Sequence, residues 1–320
     1  MRRAMAGGLV AALWMATASV AAAQPRTAIE DPEANIVSEL VVQAREPGPA
    51  WWKVSDADTT VYILALSDER LPKGLAWDQR WLQRRLKGAN SLIVGTRVSL
   101  RAGLGDVPAL LRARAKLRSK TPLEESLREP LRSRFVAARE RAGLPAKRYA
   151  GWTPLMAGAQ LTEDVQKAQT APSTMDQIIK LAKADKVKVV DPARYKAVPF
   201  VNTALASLTP SVHEQCLDGA LKDLEASRAQ GRAAAEGWAR GDVGQALTAP
   251  RSFEKCLLLL GGGPELWRRM TADQAAAIVN ALETPGHSVA VVSLRPLLAE
   301  GGVISQLRLR GVDVEGPGGD

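Results

Sequence analysis

Short strand-forming runs stand near both ends of the chain, and a long stretch with helical signals separates them. Near the amino end, residues 59–64 read Thr-Thr-Val-Tyr-Ile-Leu and residues 91–94 read Ser-Leu-Ile-Val; near the carboxyl end, residues 288–293 read Ser-Val-Ala-Val-Val-Ser. Such runs predict buried strands, and strands that alternate with helices predict parallel pairing. We therefore expect an α/β fold: a central mixed β-sheet from N- and C-terminal βαβ-like parts, surrounded by helices, with a helical middle region.

Turn and capping signals set the predicted boundaries of the other elements. Residues 50–54 and 59–64 flank an Asp-rich turn, which predicts a hairpin. Helices are predicted at 78–86, 106–118, 122–142, 152–168, 175–183, 198–208, 211–225, 228–239, 242–248, 271–282 and 302–309. Further short strands are predicted at 36–43, 187–190 and 312–314.

The amino terminus has the pattern of an export signal. A positive Met-Arg-Arg start precedes an apolar run over residues 4–20 and a small-residue site that ends at Ala23. This predicts a cleavable signal peptide over 1–23, cut after Ala23, and a periplasmic or secreted protein. The alternative is a single membrane anchor, for which the alanine-rich run is short. Residues 24–48 are then an irregular leader, and one domain is predicted over 49–317.

In an exported protein, the two cysteines can form a disulfide. Cys216 and Cys256 are the only pair available and lie 40 residues apart. An oxidising compartment permits a disulfide between them, and a loop of that length stabilises a fold by about 3–4 kcal/mol. Two buried free thiols are the alternative. No histidine pattern accompanies either residue as it does in cysteine hydrolases, so neither is expected to be catalytic.

Most of the excess positive charge belongs to one predicted helical stretch. The chain carries a formal charge of +9, and residues 101–150 hold 13 Lys and Arg against 5 Asp and Glu. The densest part, here called the basic cluster, comprises Arg112, Arg114, Lys116, Arg118 and Lys120. No aromatic residues interleave with it, which argues against nucleic-acid binding. Two interpretations remain: a solvated helical face, or contact with anionic phospholipid or an acidic envelope polymer.

Several segments have a familiar order and spacing. Residues 49–54 read Pro-Ala-Trp-Trp-Lys-Val, and residues 71–77 read Leu-Pro-Lys-Gly-Leu-Ala-Trp. Later segments read Ala-Glu-Gly-Trp-Ala-Arg-Gly-Asp at 235–242 and Leu-Arg-Leu-Arg-Gly-Val-Asp-Val at 307–314. In this order they resemble the TraB/GumN family over roughly residues 45–317, so the domain over 49–317 is expected to be TraB/GumN-like. The resemblance implies an exported or membrane-linked α/β protein, and some relatives are metal-dependent proteases.

The resemblance also implies a site built from two Gly-x-x-His motifs and a glutamate, and this chain departs from that pattern. Ala65 and Asp68 stand at the first motif, Gly95 stands at the glutamate, and Val292 and Arg295 stand at the second motif. A catalytic metal needs about three protein ligands and one open position, and a guanidinium cannot ligate. We therefore predict no catalytic residues, no metal or other cofactor, and a binding or accessory role in the cell envelope.

Two questions stay open at this point. The first is whether Asp68 and Arg295 form an ion pair across the family's site or are separate solvated residues. An ion pair would make the site a structural relic or an anion-binding cleft. The second is whether Asp68, Gly95 and Arg295 line one cleft, which would support their assignment to the family motifs.

The alternative function is a metal-dependent hydrolase, a peptidase, with displaced ligands. Asp68, Glu69 and His287 would have to supply them. Otherwise His213 and His287 are expected to be ordinary surface or loop histidines.

Overall fold

The computed structural model describes residues 30–67, 70–99, 104–226 and 228–317. The predicted signal peptide lies outside these ranges, and so do Asp68 and Glu69. Within the described part, one five-stranded mixed sheet is surrounded by helices, which confirms the predicted fold class. No helix in the described part is long and apolar enough to cross a bilayer.

The amino-terminal part builds one side of the sheet. The predicted hairpin is confirmed as β1 (Trp51–Ser55) and β2 (Thr59–Leu66). Helix α1 (Arg80–Leu86) then crosses to β3 (Ser91–Ile93). The next strand, β4 (Arg97–Ser99), leaves the sheet.

The helical middle region begins with five helices. They are α2 (Val107–Leu117), α3 (Leu123–Ser126), α4 (Leu131–Arg141), α5 (Pro154–Gln169) and α6 (Thr174–Ala184). The single helix predicted over 122–142 is wrong, because it is divided into α3 and α4. Pro130 stands between them, and a proline cannot donate the hydrogen bond that a continuous helix would need there.

The rest of the middle region contains two short strands and six helices in the described chain. They are β5 (Lys188–Val190), β6 (Arg194–Lys196), α7 (Ala197–Ser207), α8 (Pro210–Glu225), α9 (Arg228–Ala239), α10 (Val243–Ala246), α11 (Ser252–Leu258) and α12 (Gly263–Ala281). Strand β5 joins the main sheet, whereas β6 pairs with β4 in a small parallel sheet that the sequence did not predict. Helix α12 starts well before the predicted residue 271, because Gly262 turns the chain at φ 82° and Pro264 suits a first turn.

The carboxyl-terminal part inserts one strand into the centre of the sheet. After β7 (Gly286–Ser293) come α13 (Leu294–Leu298) and α14 (Val303–Leu309). The strand order is β1-β2-β7-β3-β5, with β1 antiparallel to β2 and the other neighbours parallel. Residues 289–292 of β7 are fully buried, as their apolar run predicts.

The closing strand predicted at 312–314 is wrong. The chain meets the outer edge of β1 only at Glu315, which exchanges backbone hydrogen bonds of 3.0 and 2.9 Å with Lys53. An antiparallel ladder repeats this pairing two residues further along, and Pro317 has no N–H to donate there. The carboxyl-terminal βαβ-like part therefore contributes one strand, not two.

The leader is irregular but attached to the domain. The strand-like segment predicted at 36–43 is wrong: a 3₁₀ turn occupies Ser38–Leu40, between single bridges at Ile36 and Gln43. The backbone N–H of Ala44 donates to the Gly241 carbonyl at 2.9 Å. Gly241 has φ 77°, and a Cβ on it would lie 2.5 Å from that of Ala44, so this close approach requires glycine.

Two apolar cores result from this arrangement. The larger core covers the faces of the main sheet, with α1, α12, α13 and α14 around it. The smaller core lies within the helical middle region, where Leu123, Phe135, Tyr149, Leu161 and Leu217 are buried together.

Candidate functional site

A cleft of about 1290 Å³ opens at the carboxyl ends of three sheet strands. Because β2, β7 and β3 are parallel neighbours, their carboxyl ends meet at one edge, where α/β proteins usually bind ligands. Leu66 and Ser67 line the cleft from β2, Gly95 lines it after β3, and Ser293 and Arg295 line it after β7. The structure thus brings Gly95 and Arg295 to one cleft. Asp68 lies outside the described residues but directly follows Ser67.

The opposite wall comes from the helical middle region, and sequence reasoning missed it. Arg141 of α4, Thr162 of α5, Arg232 of α9 and the segment 246–251 line this side. These residues belong to no motif and are far apart in sequence, so only the packing of the two cores brings them together. The cleft therefore separates the sheet core from the smaller core.

The segments that resemble the family meet behind the end of β2. The indole N–H of Trp238 donates to the carbonyl of Ala65 at 2.6 Å, and the two residues are almost fully buried. Trp77 packs against Trp238, with ring centroids 5.3 Å apart. A Cβ on Gly237 would lie 2.6 Å from the Cβ of Gln245, so this glycine lets α9 approach α10. These contacts fix α9 against the end of β2, next to Leu66 and Ser67 of the cleft.

The positions at the ends of β3 and β7 offer no metal ligand. Gly95 has no side chain, although a Cβ there would meet nothing within 4 Å. Val292 is fully buried within β7. At the position of the second motif, the guanidinium of Arg295 is cationic and would repel a metal ion.

Arg295 is half-buried at the cleft floor. Its Nη2 donates to the carbonyl of Leu247, and no carboxylate among the described residues lies within ion-pair distance. Burial lowers the pKa of Arg295, and the nearby positive charge of Arg251 lowers it further. The ion pair predicted between Arg295 and Asp68 stays a prediction, because Asp68 lies outside the described residues.

Arg251 lies on the same cleft but has carboxylate partners, and we call this group the Arg251 clamp. Its guanidinium contacts Asp31 at 2.6 Å and Glu33 at 2.9 Å, and the Trp267 indole N–H donates to Glu33 at 2.9 Å. Glu33 is 1% exposed, and burial raises its pKa to about 7. The clamp fastens the leader to the domain. No sequence signal indicated it, because its members are isolated charged residues about 220 positions apart.

The two cysteines lie beside the same wall. Cys216 of α8 and Cys256 of α11 are at disulfide distance, with Cα atoms 5.4 Å apart, as the predicted pairing requires. Both oxygens of Asp223 accept backbone N–H groups at the start of α11, from Ser252 and Phe253, at 2.8 Å each. Helix α11, which follows Arg251 directly, is therefore held by the cysteine pair and by the hydrogen bonds to Asp223.

Neither histidine belongs to the cleft. His287 lies at the amino end of β7, opposite the cleft, with Nε2 3.0 Å from the carbonyl oxygen of Arg85. His213 lies on α8, and burial lowers its pKa. In the described part of the chain, no three His, Cys, Asp or Glu residues are grouped as a metal site. The described donors therefore do not fit a catalytic divalent metal.

The basic cluster also lies away from the cleft. Its residues occupy α2 and the segment that follows, and none of them lines the cleft wall. The described structure thus contains two separate positively charged places, the cleft and the surface of α2.

Comparison with known proteins supports the resemblance seen in the sequence. The sequence model of the TraB/PrgY/gumN family matches residues 50–316, which include the whole main sheet and every element that lines the cleft. Searches of curated proteins and of solved structures each found no match. Since the family model covers most of the chain, this protein is a member of the TraB/PrgY/gumN family.

Proposed function

We propose that this protein is a catalytically inactive member of its family that acts as a binding or accessory protein of the cell envelope. Its ligand site is the cleft at the carboxyl ends of β2, β7 and β3, and its ligand is an anion. The observation that carries the proposal is Arg295, a half-buried guanidinium with no carboxylate partner among the described residues, at a position where the family pattern has a histidine.

The loss of catalysis is argued from the chemistry of the donors. The resemblance places Gly95 and Arg295 where the family pattern has a carboxylate and an imidazole, so even a ligating Asp68 would supply only one donor from the three positions. Three other carboxylates line the cleft. Asp223 accepts two backbone N–H groups and Glu254 lies 3.8 Å from Arg251, which leaves Asp176 of α6 as one further oxygen donor and not a set of three. A metal at this edge of the sheet would therefore face a cation and lack a closed set of ligands.

The preference for an anion follows from the charges of the lining. Arg141, Arg232 and Lys73 line the cleft together with Arg295. A guanidinium presents a planar set of N–H donors that matches a carboxylate or phosphate with two hydrogen bonds. Because a partly buried cation is poorly hydrated, an anion that reaches Arg295 recovers part of the lost solvation.

The envelope location rests on the signal-peptide pattern of residues 1–23. A fusion of these residues to an alkaline phosphatase, which folds only in an oxidising compartment, is expected to give activity. Replacement of the apolar run over residues 4–20 by a polar sequence is expected to abolish it. Cytoplasmic retention of the natural fusion would contradict the envelope role.

The ligand proposal is tested by calorimetric titration of the mature protein with inorganic phosphate, citrate and a hexaglutamate peptide at constant ionic strength. We expect at least one of the three to bind, and Arg295→Gln to weaken its affinity at least tenfold. Arg310→Gln, which removes an exposed arginine far from the cleft, is the matched control and should leave binding unchanged. No binding by any of the three, or equal losses in both variants, would refute an anion site.

Catalytic inactivity is tested separately by equilibrium dialysis against Zn²⁺ and Mn²⁺ and by peptidase assays with each ion. The expected result is no stoichiometric binding and no turnover. One bound ion per chain with measurable peptide cleavage, both lost in Asp68→Ala, would establish the alternative of a metal-dependent hydrolase with displaced ligands.

A further inference from the structure

Helix α2 presents an apolar face to solvent. Val107, Leu110 and Leu111 are 45%, 37% and 60% exposed, and their spacing of three and four residues places them on one side of the helix. The residue that α2 buries is Ala113, at 6% exposure, on another side. Large apolar residues grouped in this way on a surface helix indicate an interaction site.

One cation of the basic cluster borders this apolar face. Arg114 follows Val107 by two turns and Leu110 by one turn, so it continues the same row towards the carboxyl end of α2. Arg112 lies about 100° round the helix from Leu111, away from the apolar face. The charged head of Arg114 can therefore stay at a polar boundary while the apolar side chains enter a less polar medium.

The cations of the basic cluster also differ from the other arginines of the same charged stretch. Arg134 pairs with Glu225 at 2.8 Å, and Arg139 pairs with Glu124 at 2.8 Å, so their charges are used within the fold. In the part of the chain that is described, Arg112, Arg114 and Lys120 have no carboxylate within ion-pair distance. The basic cluster thus supplies positive charge that the fold itself does not neutralise.

Three members of the cluster have other contacts within the fold. The Arg118 guanidinium lies 3.6 Å from the ring centroid of Trp152, Lys116 Nζ lies 3.4 Å from the carbonyl oxygen of Leu205, and Arg112 Nε donates to the carbonyl oxygen of Pro108 at 3.3 Å. Arg114 is therefore the cation of α2 that is both available to a partner and next to the apolar face.

We propose that α2 docks on a bilayer surface that contains anionic phospholipid. The apolar face of Val107, Leu110 and Leu111 enters the headgroup region, while Arg114 contacts the phosphates. Positive charge next to an apolar helical face is the combination that binds such interfaces. An acidic envelope polymer would use the charge but would gain nothing from three exposed apolar side chains.

The test is co-sedimentation of the mature protein with large unilamellar vesicles of phosphatidylcholine, with and without 30% phosphatidylglycerol. We expect binding to the anionic vesicles only, with weaker binding as salt rises. Leu111→Ser and Arg114→Gln are each expected to weaken binding at least threefold.

Two matched controls remove the same chemistry elsewhere. Leu309→Ser replaces a leucine that is 79% exposed on α14, and Lys180→Gln/Lys183→Gln removes two exposed charges on α6. Both should bind vesicles as the wild type does. All variants are exposed surface changes, so unchanged thermal unfolding will show that they fold.

Three outcomes would overturn the proposal. The first is equal binding to neutral and anionic vesicles, and the second is an equal loss in the control variants. The third is a loss in Arg114→Gln with full binding by Leu111→Ser, because that result identifies a site for soluble polyanions instead of an interfacial helix.

Discussion

Two arginines on one cleft show how differently this fold treats a partly buried cation. Arg251 is held by Asp31 and Glu33 from the leader, whereas Arg295 has only the backbone carbonyl of Leu247 among the described residues. Both side chains line the cleft. The difference makes Arg251 part of the scaffold and agrees with the ligand role proposed for Arg295.

The pKa directions of the two guanidiniums agree with this distinction. Burial acts against the charge of Arg251, but its hydrogen bond with Asp31 and the charge of Glu33 outweigh burial and raise its pKa. Burial and the charge of Arg251 lower the pKa of Arg295. Because both remain protonated at any physiological pH, these directions describe the surroundings of two permanent cations.

The largest expected effect is that of Arg251→Ala. The substitution leaves two carboxylates without a counter-ion, at sites where Asp31 and Glu33 are almost fully buried. Breaking a buried pair in this way costs about 3–5 kcal/mol, which urea unfolding will measure. Arg232→Ala removes an exposed arginine from the same wall of the cleft. It should change the free energy of unfolding by less than about 0.5 kcal/mol. Similar losses in both variants would show that Arg251 contributes no more to stability than an exposed arginine does.

The second effect concerns the cysteine pair, which anchors the helix that follows Arg251. Replacing Cys216 and Cys256 together by alanine is expected to lower the free energy of unfolding by about 3–4 kcal/mol, the value for a loop of this length. Thiol alkylation of the unfolded wild type checks the bond itself. If both cysteines react without prior reduction, the disulfide does not form.

The third effect is a pH dependence that originates in the clamp. The pKa of Glu33 is raised from 4.5 to about 7, so between these values the folded state binds a proton that the unfolded state has lost. Stability should therefore fall as pH rises from 5 to 7.5, by about 3 kcal/mol at most. Glu33→Gln should flatten the profile in this window. The opposite slope would show that Arg251 keeps Glu33 ionised throughout.

Features set by neighbouring residues could be predicted from the sequence, whereas contacts between residues far apart in the chain could not. The strand predicted at 288–293 was predictable because its apolar run is local, and Gly95 and Arg295, which the family resemblance assigns to one site, both line the cleft. The Arg251 clamp was not predictable, because isolated charges carry no periodic signal. The helix break at Pro130 could have been inferred from that proline, because a proline inside a helical segment removes a hydrogen-bond donor.

The smallest expected effect on stability is that of Arg295→Gln, and it is the most informative. The change gives up the hydrogen bond to the Leu247 carbonyl, but it also removes a partly buried charge that is repelled by Arg251. We therefore expect the free energy of unfolding to stay within about 1 kcal/mol of the wild type, or to rise slightly. A loss above about 2 kcal/mol would mean that the guanidinium has a structural partner. The double variant with Asp68→Asn then decides whether that partner is Asp68, because two members of one ion pair are not additive. A small effect on stability together with lost anion binding would separate Arg295 from Arg251 and assign it to the ligand.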